Sequence, residues 1–305
     1  MTAHGLAATL AVLLALLLDR LFAEPPSRYH PVVWFGRLVD RVDREWSSPK
    51  LAGIAVALSF PLLGAAVAYV LIGLVAAIAP LFAALLAGLV LFSATSLRML
   101  TEAARTVVDR SESELDAARE GLPALVGRDP TNLSPELVRS AAVESAAENL
   151  SDGLVAPLLA FAVFAGVSLS AAAAAAAYVK CVNTLDSMLG YPGAFGWASA
   201  RLDDLVMFVP ARVTAVLVAF AAGDPDAPLR ARRYARKTPS PNAGWPMGAL
   251  AAGLNVRLEK PGVYVLNDVA NPPNVDRARE GIAVVERAGV AAYGLVALWG
   301  VLLWL

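Results

Sequence analysis

From Leu51 to Leu97 the chain runs 47 positions without a single charged side chain. Wound as one helix at about 1.5 Å per residue, the run would be roughly 70 Å long, more than twice the hydrocarbon thickness of a bilayer. Two spans are therefore predicted, turning near Ala79-Pro80. Two further stretches lack charge, 27 positions at 153–179 and the last 18 at 288–305. Only 17% of the residues are charged and 58% are hydrophobic, against roughly 25% charged in a soluble domain, which argues against a water-soluble globule.

The candidate spans are 6–22, 51–73, 77–97, 154–178, 205–222 and 288–305. The expected fold class is all-α: a polytopic membrane helical bundle of about six spans, forming one integral membrane domain over 1–305. Leu6 to Leu18 reads as a retained span, because no Lys or Arg precedes it and Asp19-Arg20 follows in place of a small-residue cleavage site. Lys and Arg number 5 in 23–50, none in 74–80, 6 in 98–153, 2 in 179–204 and 10 in 223–287. This alternation makes 23–50, 98–153 and 223–287 cytoplasmic helical segments of a multi-pass protein in the cytoplasmic membrane. The Ala171 to Ala177 tract, inside an apolar run, suits close helix packing.

The net charge of −1 gives no footprint for a nucleic-acid partner. One cysteine, Cys181, and two histidines, His4 and His30, leave no Cys- or His-rich metal site. Neither a P-loop nor a Rossmann glycine pattern occurs. Chemistry must come from scattered polar residues near span ends. His30-Pro31-Val32 reads either as an interfacial residue beside Trp34 or as part of a site. Glu144, Glu148 and Asp152 recur at i, i+4 and i+8, so on a helix they share one face. Such carboxylates suit Mg²⁺ beside a phosphate, or belong to a solvated helix with Asp152 capping the next span. Lys180 to Tyr191 follows the uncharged run, Arg201-Leu202-Asp203-Asp204 leads toward Arg212, and Ser240-Pro241-Asn242 opens a loop after basic residues. An arginine within a span is either functional or, here, the structural partner of Asp204.

Taken together, Glu144-Ser145, Glu148-Asn149, Asp152-Gly153, Lys180, Asn183-Thr184-Leu185-Asp186-Ser187-Met188, Gly190-Tyr191, Arg201-Leu202-Asp203-Asp204, Pro210-Ala211-Arg212 and Ser240-Pro241-Asn242-Ala243-Gly244-Trp245 form an ordered set. With His30-Pro31-Val32, Gly36-Arg37 and Gly127-Arg128-Asp129, the set resembles the adenosylcobinamide-phosphate synthase family of cobalamin biosynthesis from about Asp19 to Tyr264. The chain departs from that pattern where the family commonly has Gly-Asp-Pro and this sequence has Ala23-Glu24-Pro25. It also has Met207 in place of a usual Asn, and Lys237-Thr238-Pro239 where a His is usual.

The resemblance implies a carbon-nitrogen bond-forming ligase of the membrane. Such an enzyme joins a carboxylate of adenosylcobyric acid to (R)-1-amino-2-propanol phosphate or a related amino alcohol phosphate, with ATP as co-substrate and Mg²⁺ as cofactor. The implied partners are the lipid bilayer and other cobalamin-assembly membrane enzymes. It further implies Lys180, Asp186, Asp203 and Asp204 as catalytic residues and Asp152, Asp186, Asp203 and Asp204 as metal ligands. Substrate contacts would come from His30, Arg37, Glu144, Asn149, Asn183, Thr184, Ser187, Arg201, Arg212, Ser240 and Asn242. By the six-span count Lys180 to Asp204 lies outside although ATP is cytoplasmic, so the fourth and fifth spans are expected as a re-entrant pair, or their loop folds into the bundle. Two rivals are a Mg-dependent transferase of the prenyltransferase type, whose repeated aspartates Asn183-Thr184-Leu185-Asp186 lacks, and a transporter, which would place its charges at the midplane.

Overall fold

A computed structural model describes residues 3–127 and 129–305. Arg128 of the Gly127-Arg128-Asp129 motif lies outside the described residues. Among the described residues the chain is mostly helical, with one antiparallel pair of three-residue strands. Among the described residues, five helical runs are long and apolar enough to cross a membrane: Gly5–Phe22, Pro49–Ile78, Pro80–Arg110, Pro135–Ala165 and Val275–Trp304, with a sixth if the broken pair Trp197–Val206 and Phe208–Ala221 is counted. Two compact units divide the chain, one of Met1–Ser96, Asp152–Met207 and Ala292–Leu305, the other of Leu97–Ser151 and Phe208–Ala291.

The first unit is built on α1 (Ala3–Phe22), α2 (Pro31–Asp40), α3 (Pro49–Ile78), α4 (Pro80–Ala94), α8 (Ala156–Ala165), α9 (Leu169–Leu189) and α10 (Trp197–Val206). The α3–α4 break falls at Ala79, in extended backbone (φ −146°, ψ 85°) as the residue before Pro80 must be. Along α3, Leu58, Leu62, Val67, Val70, Leu74 and Ile78 are exposed, a stripe that water would penalise and lipid does not. The inner face of α3 lies along α9, where Ala172, Ala173 and Ala176 are fully buried. A Cβ on Gly64 would stand 2.6 Å from Cys181 Sγ, so the small residues of both helices set their close approach.

One expected span is corrected. The window 154–178 is not a single helix: α8 ends at Ala165, and α9 begins after Ser168, whose hydroxyl accepts from Ala171 N–H at 3.1 Å. Gly166 and this serine cap offer a stop and a start, which hydropathy alone cannot register. Similarly, 205–222 is broken at Met207 into α10 and α11 (Phe208–Ala222).

The second unit contains α5 (Arg98–Arg110), α6 (Leu115–Gly121), α7 (Pro135–Leu150), α11, α12 (Ala227–Ala231), α13 (Gly244–Gly253), the hairpin β1 (Leu258–Lys260) and β2 (Tyr264–Leu266), and the first part of α14 (Val275–Trp304). Helix α7 starts at Pro135 with the Ser134 hydroxyl accepting from Leu137 N–H at 3.3 Å. It packs against α5, α13 and β1. Beyond Leu150 the chain makes a π-helical turn, Ser151–Val155. The wider turn breaks the i, i+4 spacing, so Glu144, Glu148 and Asp152 do not continue along one face.

Candidate active site

In the first unit four interruptions of the helices come together at Lys180. Three charged or polar groups arrive from these breaks: Glu24 follows the end of α1, His30 caps α2, and Ser96 sits in the gap after α4. The fourth, Asp152, lies in the π turn, which the Ser96 N–H ties in by donating to Gly153 O at 3.0 Å. Lys180 is partly buried on α9, and both Glu24 and Asp152 lie close enough to act on its ammonium. A lone cation among apolar helices is expensive, and two flanking carboxylates supply its counter-charge.

His30 is buried, and both of its ring nitrogens are committed. Nδ1 accepts from Val32 N–H at 3.3 Å, so the neutral ring carries its proton on Nε2, which stands 3.7 Å from Glu24 Oε2. His30 therefore caps α2 and points its N–H toward Glu24, and it has no free base site. The Ser96 hydroxyl faces the same carboxylate from just beyond hydrogen-bond geometry. Burial pushes the Glu24 carboxyl up, but the interactions with His30 and Ser96 and the nearby charge of Lys180 outweigh it and hold the group below the usual glutamate value. The site thus keeps an ionised acid beside its lysine.

Lys180, Cys181 and Thr184 also wall an apolar cavity of about 380 Å³, closed by α2 (Pro31, Phe35), α3 (Gly64, Ala68) and α4 (Ser93). That volume falls in the range of small-ligand pockets. Thr184 donates to Lys180 O at 2.8 Å and Ser187 to Asn183 O at 2.9 Å, so both hydroxyls rest on their own helix. Asn183 is half-buried between them, and Arg37 is exposed on α2.

Further along α9, the Asp186 carboxylate faces that of Asp204 on α10. Arg201 donates to Asp204 Oδ2 at 3.0 Å, and Asp203 is buried on the same helix. The end of α9 is packed so tightly that a Cβ on Gly190 would fall 2.1 Å from Asp186 Oδ1. Tyr191 then donates to Asp43 Oδ1 at 2.5 Å.

The second unit holds the remaining candidates in two groups. Arg212 donates to Phe208 O at 2.6 Å and to Asn242 Oδ1 at 2.9 Å, with its guanidinium over the Phe208 ring at 3.6 Å. Ser240 accepts from the Asn242 and Ala243 N–H groups, shaping the turn into α13. Elsewhere, Glu144 is buried with both carboxylate oxygens engaged, one by Ser140 at 2.6 Å and the other by Tyr264 OH at 2.7 Å. Ser140 also accepts from Glu259 N–H at 2.7 Å, so the group clamps the hairpin to α7. Asn149 donates to Ser145 O and Oγ at 3.0 and 2.9 Å.

A family model described as CobD/Cbib protein matches residues 12–290. The chain belongs to the CobD/Cbib family. Over 307 residues it is 36% identical to a probable cobalamin biosynthesis protein CobD of Methanothrix thermoacetophila, covering 96% of each chain. The cobalamin biosynthesis protein CobD of Rhodobacter capsulatus is 37% identical over 299 residues, 89% of this chain and 91% of its own. That of Mycobacterium tuberculosis is 37% identical over 311 residues, 94% and 95% of the two chains. No solved structure matches.

For this CobD/Cbib protein the expected four-carboxylate metal set is corrected. Among the described residues no three His, Cys, Asp or Glu side chains gather as a metal cluster. Asp152 faces Lys180, whereas Asp186 lies six residues further along α9, about 9 Å on and on another face. What remains is the Asp186 and Asp204 pair, a donor set that suits Mg²⁺ held by one or two carboxylates together with phosphate oxygens. Within their own units, Asp204 accepts from Arg201 and Arg212 donates to Asn242. Sequence reasoning passed over Glu24 and Tyr264. For Glu24 the signal was present, an acid kept between Ala23 and Pro25 where the family has Asp. Tyr264 carried none, since its partner Glu144 is 120 positions away.

Proposed function

We propose that this CobD/Cbib protein serves cobalamin biosynthesis as an ATP-dependent ligase. It joins adenosylcobyric acid to (R)-1-amino-2-propanol phosphate, or a related amino alcohol phosphate, and yields adenosylcobinamide phosphate. The observation that carries this reading is Lys180 at the wall of an apolar cavity, under the charge of Glu24 and Asp152, in a chain whose relatives are named cobalamin biosynthesis proteins. A bare carboxylate does not acylate an amine, because the leaving group would be oxide. Transfer of the ATP γ-phosphoryl to the carboxylate oxygen releases ADP and makes an acyl phosphate. The neutral amine then attacks the carbonyl carbon, the carbon-oxygen bond to phosphate breaks, and inorganic phosphate leaves with the amide formed.

In this scheme Lys180 meets phosphate charge, which a compact ammonium on a flexible stem is suited to follow during transfer. Asp186 or Asp204 takes the proton that the ammonium form of the amine must lose. Asp186 and Asp204 would also hold Mg²⁺, which when bound neutralises phosphate charge. Arg201 and Arg212 contact phosphate, and Asn183, Ser240 and Asn242 orient substrate.

Purified protein in detergent, given adenosylcobyric acid, the amino alcohol phosphate, Mg²⁺ and ATP, is expected to release one ADP per amide formed. Prenyl diphosphates offered instead should give no product. Product from those substrates, with none from the corrinoid, would support the prenyltransferase reading and overturn this one.

A further inference from the structure

The run from Arg230 to Lys237 has no part in the chemistry above, although five of its eight side chains are cationic. Two helix ends in the second unit fix its place. Helix α11 stops at Ala222, where Gly223 takes φ 74° and the Asp224 N–H donates back to Ala219 O at 3.0 Å, a left-handed stop that glycine allows. Arg287 of α14 closes the same end, its Nε and Nη2 donating to Ala221 O at 3.2 and 3.0 Å. Arg287 is also the last charged residue before the 18 uncharged positions 288–305. One apolar helix therefore ends, and another begins, at a shared level, as helices do at a bilayer surface. The basic run begins eight residues past Ala222, within the reach of that surface's potential.

The run folds with its small and aromatic residues inward. Ala231, Tyr234, Ala235 and Thr238 are buried, while Arg230, Arg232, Arg233, Arg236 and Lys237 are exposed. Two of the five cations are answered inside the protein: Arg230 donates to Asp224, and Lys237 stands 3.5 Å from Asp268 Oδ2. Among the described residues no carboxylate forms an ion pair with Arg232, Arg233 or Arg236. Beside these three, Leu229 is 71% exposed, and Phe220, next to the capped Ala221 carbonyl, is 67% exposed. Guanidinium groups with bare leucine and phenylalanine suit the headgroup layer, where cations meet phosphate and apolar side chains reach the hydrocarbon below. A soluble polyanion would answer the charges but leave Leu229 in water.

We propose that Arg232, Arg233 and Arg236, with Leu229, form a docking surface for anionic lipid headgroups of the cytoplasmic leaflet. The surface is independent of the ligase reading and needs no turnover to be tested. The experiment titrates phosphatidylglycerol, and phosphatidylcholine of the same chains as control, into full-length protein in a neutral detergent, counting bound lipids by native mass spectrometry. Wild-type protein is expected to bind phosphatidylglycerol the more tightly, and rising salt should erase the preference. The triple variant Arg232→Gln, Arg233→Gln, Arg236→Gln should bind phosphatidylglycerol on the order of 10- to 100-fold more weakly, at about fivefold per cation engaged, with phosphatidylcholine binding unchanged. Lysines at the same three positions keep the charge and should keep most of the affinity. Leu229→Gln should weaken phosphatidylglycerol several-fold while leaving the binding of a single-stranded oligonucleotide unchanged.

Equal binding of the two lipids by wild-type protein, or a glutamine variant that binds phosphatidylglycerol as wild type does, would overturn the proposal. So would an oligonucleotide that displaces phosphatidylglycerol while Leu229→Gln affects neither, since the patch would then serve a soluble polyanion. Should the glutamine variant fail to fold, the lysine and Leu229 variants decide: retained affinity in the first with loss in the second supports the surface, and any other pattern overturns it.

Discussion

Replacing Gly190 by alanine displaces the Asp186 carboxylate without touching its chemistry. The added Cβ would stand 2.1 Å from Asp186 Oδ1, 2.5 Å from Asp186 O and 2.9 Å from its carboxyl carbon. Gly190 has φ −70° and ψ 12°, a conformation open to alanine, so the whole effect comes from this clash. To restore a contact near 3.4 Å the carboxylate must retreat by more than 1 Å, and the last turn of α9 must shift as well to clear the Asp186 carbonyl. Misplacement of about 1 Å costs on the order of 100-fold in a positioned reaction, whereas overpacking costs about 1–3 kcal/mol of stability. Gly190→Ala should therefore lose about 100-fold in ADP release coupled to amide formation, while remaining folded in detergent. The comparison is Gly294→Ala, where an added Cβ meets nothing within 4 Å, and alanine gains helix propensity. Wild-type turnover in Gly190→Ala, with an unchanged thermal midpoint, would refute the placement of Asp186.

At Ala23 the backbone has φ 61°, in the left-handed region, which makes Ala23→Gly a stabilising change of about 1 kcal/mol, seen as a higher thermal midpoint; a lower midpoint would mean the left-handed turn is not formed. Tyr264→Phe should cost about 1.5–3 kcal/mol by stripping a hydrogen bond from a buried carboxylate, and trypsin should then cut faster after Arg257 beside the released hairpin. Arg212→Lys cannot copy the two-nitrogen grip, in which Nη1 donates to Phe208 O and Asn242 Oδ1 and Nη2 to Pro241 O, or the stacking on Phe208. It should lower the thermal midpoint and, if Arg212 contacts phosphate, raise the KM for ATP several-fold; an unchanged KM would leave Arg212 as a fastener of the loop before α13.

Much of the helical layout is legible because it depends on short-range rules. The turn at Ala79-Pro80 follows from proline's demand on its predecessor, and the packing of Ala172, Ala173 and Ala176 follows from their size. The break between α8 and α9 was hidden because both sides are apolar and its cap is one serine in an oily run. The π turn was hidden for another reason: a widened turn leaves no residue period to read, and it undid the aligned face of Glu144, Glu148 and Asp152. The candidate site divides in the same way. Lys180, Asp186 and Asp204 stood out as charges beside uncharged runs, but the grouping did not, because it depends on contacts far apart in sequence. Glu24 feels the charge of Lys180 although more than 150 positions separate them, and Glu144 spends its oxygens on Ser140 and Tyr264.

The central claim is that ATP activates the corrinoid carboxylate as an acyl phosphate, and oxygen transfer reports on that step directly. Adenosylcobyric acid carrying ¹⁸O in both oxygens of the reacting carboxylate would be turned over by the purified enzyme with ATP, Mg²⁺ and the amino alcohol phosphate. Mass spectrometry should then find one ¹⁸O in the released inorganic phosphate and the other in the amide carbonyl. Inorganic phosphate without label, or release of AMP and diphosphate in place of ADP, would contradict the account.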